Sequence, residues 1–429
     1  MTNYIARVLW IASLALAVPL RAQDSVITLA GQALMMGGTN GTGTNALFGD
    51  PAAIVADASG NVFVADSQNH AIRRISTNGV VSTFAGQLGT PGSSNGTGTQ
   101  AQFDTPSGIA MDQSGNFFVS DTGNHTIRKI SPAGVVSTIA GLAEQSGFTN
   151  GIGAAARFNS PLGLAVALSG TVYVADCGNH LIRAILPGNV VTTLAGGPEN
   201  WGSDDGIGGD ARFNGPVGLS LNAEGNLFVS DSNNHTIRRI TPNGSVTTWA
   251  GVPGGDGCVN GDRLTARFSK PAELAIDQKN NLFVADSFNH VIRKISSNGN
   301  VTTVTGAAGS RGSADGINGQ ARFFNPYGLA VAPDGSLMVA DVYNELLRVV
   351  LVPFSVAIQS SSGSGMATLS WDCVAGRRYQ VQYQDQDAID SGAWLSLGSS
   401  ITATDLSTTQ IDNAFGHMPQ RIYRVIIVQ

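Results

Sequence analysis

Short hydrophobic runs separated by turn residues recur along most of this chain, and the pattern returns every 55 positions. It is clearest in the decapeptides DSQNHAIRRI from Asp66, DTGNHTIRKI from Asp121, DCGNHLIRAI from Asp176, DSNNHTIRRI from Asp231 and DSFNHVIRKI from Asp286. A sixth, worn copy, DVYNELLRVV from Asp341, keeps Asp341, Asn344 and Arg348 but has Glu345 where the others have histidine. Two further signals share the period. A glycine closes a β-rich run at Gly86, Gly141, Gly196, Gly251 and Gly306, and an Asn/Asp-Gly pair recurs from Asn40, Asn95, Asn150, Asp205, Asn260 and Asp315.

Each unit predicts four short strands. In the second, Gly108 to Asp112, Phe117 to Ser120, Thr126 to Ile130 and Val135 to Ala140 are separated by turns at Gln113 to Asn116, Asp121 to His125 and Ser131 to Gly134. Second strands such as Val62 to Ala65 and Leu227 to Val229 are apolar on both faces, so neighbouring sheets must cover both. Radial stacking does this, and six units predict an all-β, six-bladed β-propeller of four-stranded blades. The sixth unit lacks a fourth strand after Leu351-Val352, while Ile27 to Gly31 matches that strand and stands alone. The N-terminal strand is therefore expected to complete the last blade and close the ring.

The Asn-His-x-Ile/Leu-Arg run, present at Asn69-His70, Asn124-His125, Asn179-His180, Asn234-His235 and Asn289-His290, resembles the signature of the NHL repeat family. The resemblance covers residues ~26 to 352 and implies the six-bladed ring without implying one activity. Beyond it, residues 353–429 break the period and alternate as strands at Met366 to Trp371, Arg378 to Tyr383, Trp394 to Leu397 and Arg421 to Ile426. These predict a small β-sandwich that loosely resembles fibronectin type III modules.

Arg7 ahead of the apolar run Val8 to Val18, with Ala22 following, reads as an export signal. The domain reading is thus a signal peptide at 1–22, a propeller at 24–352 and a sandwich at 353–429, in a secreted, periplasmic or cell-surface protein without a transmembrane segment. The net charge of −6 becomes more negative once Arg7 and Arg21 are removed, which argues against nucleic acid as a partner. The three cysteines, Cys177, Cys258 and Cys373, have no metal-ligand spacing.

The in-phase histidines would be spread around a ring rather than gathered on one ion, so each is expected to bond its own turn. The repeated Asp and Arg of the signature read as ion pairs that stitch each blade. Differences between equivalent blades are the better guide to function. Where a first strand begins, Gly108, Gly163, Gly218 and Gly328 contrast with Ala53 and with Glu273, which would set a carboxyl in the central channel beside Tyr327. On the loops before each blade, Phe148, Trp201 and Arg311 break the small-polar pattern, as Phe288 and Tyr343 do in the signature turns. The expected binding face therefore comprises Phe148, Trp201, Glu273, Arg311 and Tyr327, in a monomer that binds a protein, peptide or glycan, with no catalytic residue, metal or cofactor assigned. The alternative is a metal-dependent hydrolase or lyase working in the channel. Six-bladed amidating lyases resemble this family, but their zinc-binding histidines find no counterpart in the first strands here, and the only histidine outside the signature is His417.

Overall fold

The computed structural model describes residues 25–317, 319–351, 356–360, 367–372, 378–385, 395–404, 407–413 and 421–428; the segment expected to be an export signal lies outside them, as does Cys373. Ser25–Val350 forms one compact unit, and residues from Leu351 on belong to a second.

The first unit is a ring of six antiparallel sheets. Blade 1 runs outward through Pro51–Ala56, Val62–Asp66, Ala71–Ile75 and Val80–Ala85, and blades 2 to 6 begin at Pro106, Pro161, Pro216, Pro271 and Pro326. Second strands are buried along their whole length in most blades, as their unbroken apolar runs require. Side chains between neighbouring sheets form shared cores. One of them joins Phe63 and Ala65 of blade 1 to Ile109, Phe117 and Val119 of blade 2. The closing strand falls where it was expected: Ser25–Ala30 lies next to Leu346–Leu351 in blade 6.

Each blade has five strands, not four. The extra one is a two-residue strand that starts at the glycine of the Asn/Asp-Gly pair, as when Gly41↔Val81 and Thr42↔Val80 pair on the rim of blade 1. Two residues are too few for a period of two to be legible. From each rim strand the chain crosses back toward the axis through the wedge between blades. Phe48, on that crossing, packs in a core that also holds Ala340 and Leu347 of blade 6.

The signature residues hold this crossing in place. Asp66 accepts hydrogen bonds from Gly49 N at 2.7 Å, Asn69 Nδ2 at 2.8 Å and Arg73 Nη1 at 2.7 Å. Arg73 also donates to the carbonyls of Leu47 and Thr39 and to Asn40 Oδ1, with its guanidinium 5.4 Å from the Phe48 ring centre. The fully buried Asp–Arg pair recurs in every blade at 2.6 to 2.9 Å. Breaking such a pair singly costs about 3–5 kcal/mol, because it strands a buried charge. Closing glycines finish the wedge: a Cβ on Gly86, at φ +98°, would lie 2.6 Å from the His70 carbonyl.

The histidine side chains reach beyond their own turns to the next blade. Each sits in the left-handed region and accepts, through Nδ1, the backbone N–H just before the next blade's first proline: His70 from Thr105 at 3.1 Å, His125 from Ser160 at 3.1 Å, His180 from Gly215 at 3.0 Å, His235 from Lys270 at 3.2 Å and His290 from Asn325 at 3.3 Å. At the sixth seam Glu345 Oε2 accepts Asp50 N at 2.7 Å. The sequence shows the acceptor but not that its partner lies 35 residues ahead, in another blade.

The second unit holds two small sheets. One contains Val356–Ser360, Ala367–Asp372 and Ser407–Asp412, and the other is built around Arg378–Asp385 paired with Arg421–Val428. Buried Trp371 and Tyr379, one from each sheet, stand with ring centres 6.2 Å apart.

Candidate functional site

Three concentric sets of six equivalent positions surround the axis on the face that carries the signature turns. The first strand supplies the innermost set, the residue after its proline: Ala52, Ser107, Leu162, Val217, Ala272 and Tyr327. Outside it are the residues before the proline, Asp50, Thr105, Ser160, Gly215, Lys270 and Asn325, all held at positive φ by the seam hydrogen bonds. The rim is the middle of each signature turn: Gln68, Gly123, Gly178, Asn233, Phe288 and Tyr343.

Between these sets opens a funnel of about 490 Å³. Its chemistry is lopsided. Blades 5 and 6 raise an aromatic wall of Phe288, Tyr343 and Tyr327, while the rim falls to glycine on blades 2 and 3. Phe288 and Tyr343 are 57% and 50% exposed, a large commitment of apolar surface to water. Gln68 and Asn233 supply amides, Asp50 a carboxyl and Lys270 an ammonium whose Nζ bonds Asn233 Oδ1 at 2.5 Å. Burial raises Asp50 above the usual carboxylate range, and a hydrogen bond from Gln68 opposes it.

Below the funnel the first strands crowd together. A Cβ on Gly108 would lie 2.1 Å from the Leu162 carbonyl, one on Gly163 2.3 Å from that of Val217 and one on Gly218 2.4 Å from that of Ala272. Glu273 occupies this crowded level. Its Oε1 accepts Leu219 N at 3.3 Å and Leu274 N at 3.5 Å, and burial pushes its pKa up to about 8 against those two bonds. Burial also raises the Tyr327 hydroxyl well above its ordinary value, with further contributions from the negative charges of Cys177, Glu273 and Tyr343.

Of the five residues expected to form a binding face, Tyr327 lines the funnel and Glu273 lies one residue beyond lining Ala272. Exposed Arg311 lies 5.0 Å over the Phe324 ring, which in turn packs edge-on against Tyr343 at 5.2 Å, so it buttresses the wall from outside. Phe148 and Trp201, 43% and 65% exposed, are not among the funnel's lining residues. Asp50, Gln68, Asn233 and Lys270 were missed. Comparing the positions flanking each proline would have found Asp50 and Lys270, since seam geometry fixes the backbone there and leaves the side chain free. Among the described residues no group of three or more His, Cys, Asp or Glu is placed to hold a metal ion, and Cys177 and Cys258 form no disulfide.

Fold and rim together define a six-bladed β-propeller with a funnel at one mouth of its axis. Three of its repeats match the NHL repeat family model, at residues 103–130, 158–185 and 213–240. The chain is 29% identical over 366 residues to NHL repeat-containing protein 2 of Bos taurus, across 76% of this chain and 50% of the relative. It thus spans about half the length of that curated relative. Among solved structures, a protein of unknown function from Bacteroides thetaiotaomicron superposes with a TM-score of 0.60 at 19% identity, covering 80% of this chain and 86% of that one. An auxiliary nutrient binding protein from the same organism superposes at 0.58 and 15% identity, covering 76% of each chain. At these identities the superpositions speak to the fold alone.

Proposed function

We propose that this is an exported binding protein that takes its ligand, a protein, peptide or glycan, into the funnel. The observation that carries the reading is the aromatic wall. Phe288 and Tyr343 occupy positions that no seam requires, their counterparts being Gln68, Gly123, Gly178 and Asn233, and both rings stand open to water above a cavity. Aromatic side chains on a rigid frame supply contact area with little entropy to lose on binding, and they dominate recognition energetics elsewhere. Export is supported by the sequence of residues 1–22, and the sandwich after residue 353 is read as an accessory module.

Glycan arrays and peptide libraries probed with the labelled full chain should yield ligands whose binding F288A and Y343A each weaken about tenfold or more, as loss of a ~1.4 kcal/mol contact requires. Melting temperature should hold within a few degrees, since the rings are half exposed. Variants that bind recovered ligands as the parent does would show that the funnel is not the site.

A further inference from the structure

Glu273, which is partly exposed, differs from the six buried signature aspartates. The six signature aspartates each meet an arginine within 2.9 Å, whereas Glu273 makes no ion pair with a described residue and its Oε2 no hydrogen bond to one. It also stands where four blades exclude any side chain, since a Cβ on Gly218 would come within 2.6 Å of Glu273 Cα itself. A carboxyl kept at a sterically crowded level without an ion pair among the described residues is retained at a cost to the fold, and such outliers point toward a functional role.

Its surroundings say which role. Ala272, the preceding residue, lines the funnel, as does Tyr327, whose hydroxyl feels the charge of Glu273 and makes no hydrogen bond to a described residue. The wall above is Phe288 and Tyr343. A carboxyl on the residue that follows lining Ala272, beside a cavity with aromatic sides, matches an organic cation, which draws on the ring faces and on the acid together. The crowded first strands make the floor narrow, which favours a cation carried on a slender unbranched stem over one attached directly to a ring. We propose that the funnel floor receives the side chain of a lysine from a peptide or protein ligand, Glu273 pairing with its ammonium and Tyr327, Phe288 and Tyr343 flanking its stem. This rests on the reading of the funnel as the ligand site.

The neighbouring charges allow it. Lys270, the cation that lines the funnel, is bonded to Asn233 on the rim, and Asp50 lines the funnel with a carboxyl of the favourable sign. Burial, with Asp176 and Asp231 nearby, pushes the Cys177 thiol up to about 11, so it adds no charge beside Tyr327 at neutral pH. Pairing needs the carboxylate. Burial keeps Glu273 protonated up to about pH 8, so below that pH one proton leaves Glu273 for solvent as the ammonium binds. Affinity should therefore rise with pH, by up to about tenfold per unit, and level off above pH 8.

The test is titration calorimetry of the full chain with acetyl-Gly-Gly-Lys-Gly-Gly-amide, its Nε-acetyl analogue and a glucosamine oligomer, in two buffers of different ionisation heat. The expected result is that the free lysine peptide binds at least tenfold more tightly than the other two, with proton release seen as buffer-dependent heat. E273Q, folded by circular dichroism, should lose both the preference and the proton release. Equal binding of the acetylated peptide, undiminished binding by E273Q, a preference for the amino sugar, or no binding of the lysine peptide at millimolar concentration each overturns the lysine assignment. The funnel reading is judged separately. If F288A and Y343A weaken a ligand that E273Q and acetylation leave unaffected, the funnel stands and only the lysine is wrong.

Discussion

Glu273 is the residue whose chemistry is most at odds with its place. In the unfolded chain it would ionise near its ordinary 4.5, and in the fold only near 8. Between those values the native state holds the extra proton, so stability falls as pH rises through that window and stays low above it. Glutamine has the same shape and does not titrate, while the other raised acids are common to both proteins and cancel. The melting temperature of E273Q minus that of the parent should therefore widen from about pH 5 to about pH 8 and then hold constant. A difference that stays flat across that range would mean that the carboxyl is not desolvated. The sequence revealed Glu273 and Tyr327 because repetition made them exceptions. It could not show that Phe148 and Trp201 lie outside the funnel's lining, because exposure and aromatic character do not by themselves reveal a place at the axis.

Strands were legible wherever a run of four or more apolar residues met turn chemistry. They were illegible where pairing rests on backbone alone, as in Gly41–Thr42 and its counterparts. The closing strand is the informative case. Ser25–Ala30 buries Val26 and Ala30 and lies between Leu346–Leu351 and the rim strand Gly316–Ile317, so its partners are far away in sequence. Only its resemblance to other fourth strands betrayed its place. A chain beginning at Gly31 would leave the edge of Leu346–Leu351 unpaired and a core open. It should aggregate, or melt roughly 5 °C or more below the parent in a thermal scan. Parent-like melting would show that this strand does not hold the ring shut.

At the scale of the whole molecule, Ser25–Val350 contains both ends of its own closure within one blade. A fragment of residues 25–351 should therefore fold without the rest, giving one cooperative thermal transition and a β-type circular dichroism spectrum. A broad, non-cooperative melt would show that the ring needs the second unit. The fold was readable at this scale because every blade repeats the same demands. The ligand was not, because it is addressed by what the repeat leaves unspecified. The rim makes that freedom concrete, though it has a condition. Tyr343 comes with Phe324 beneath it, while a side chain at Gly123 would run into Asp104 and one at Gly178 into Asn159. Rim residue and underlying residue are thus a matched couple, and the couple rather than the single aromatic is the movable piece. Transplanted together onto another pair of blades, such couples would turn the same wall to a new compass bearing while leaving every seam of the frame as it was.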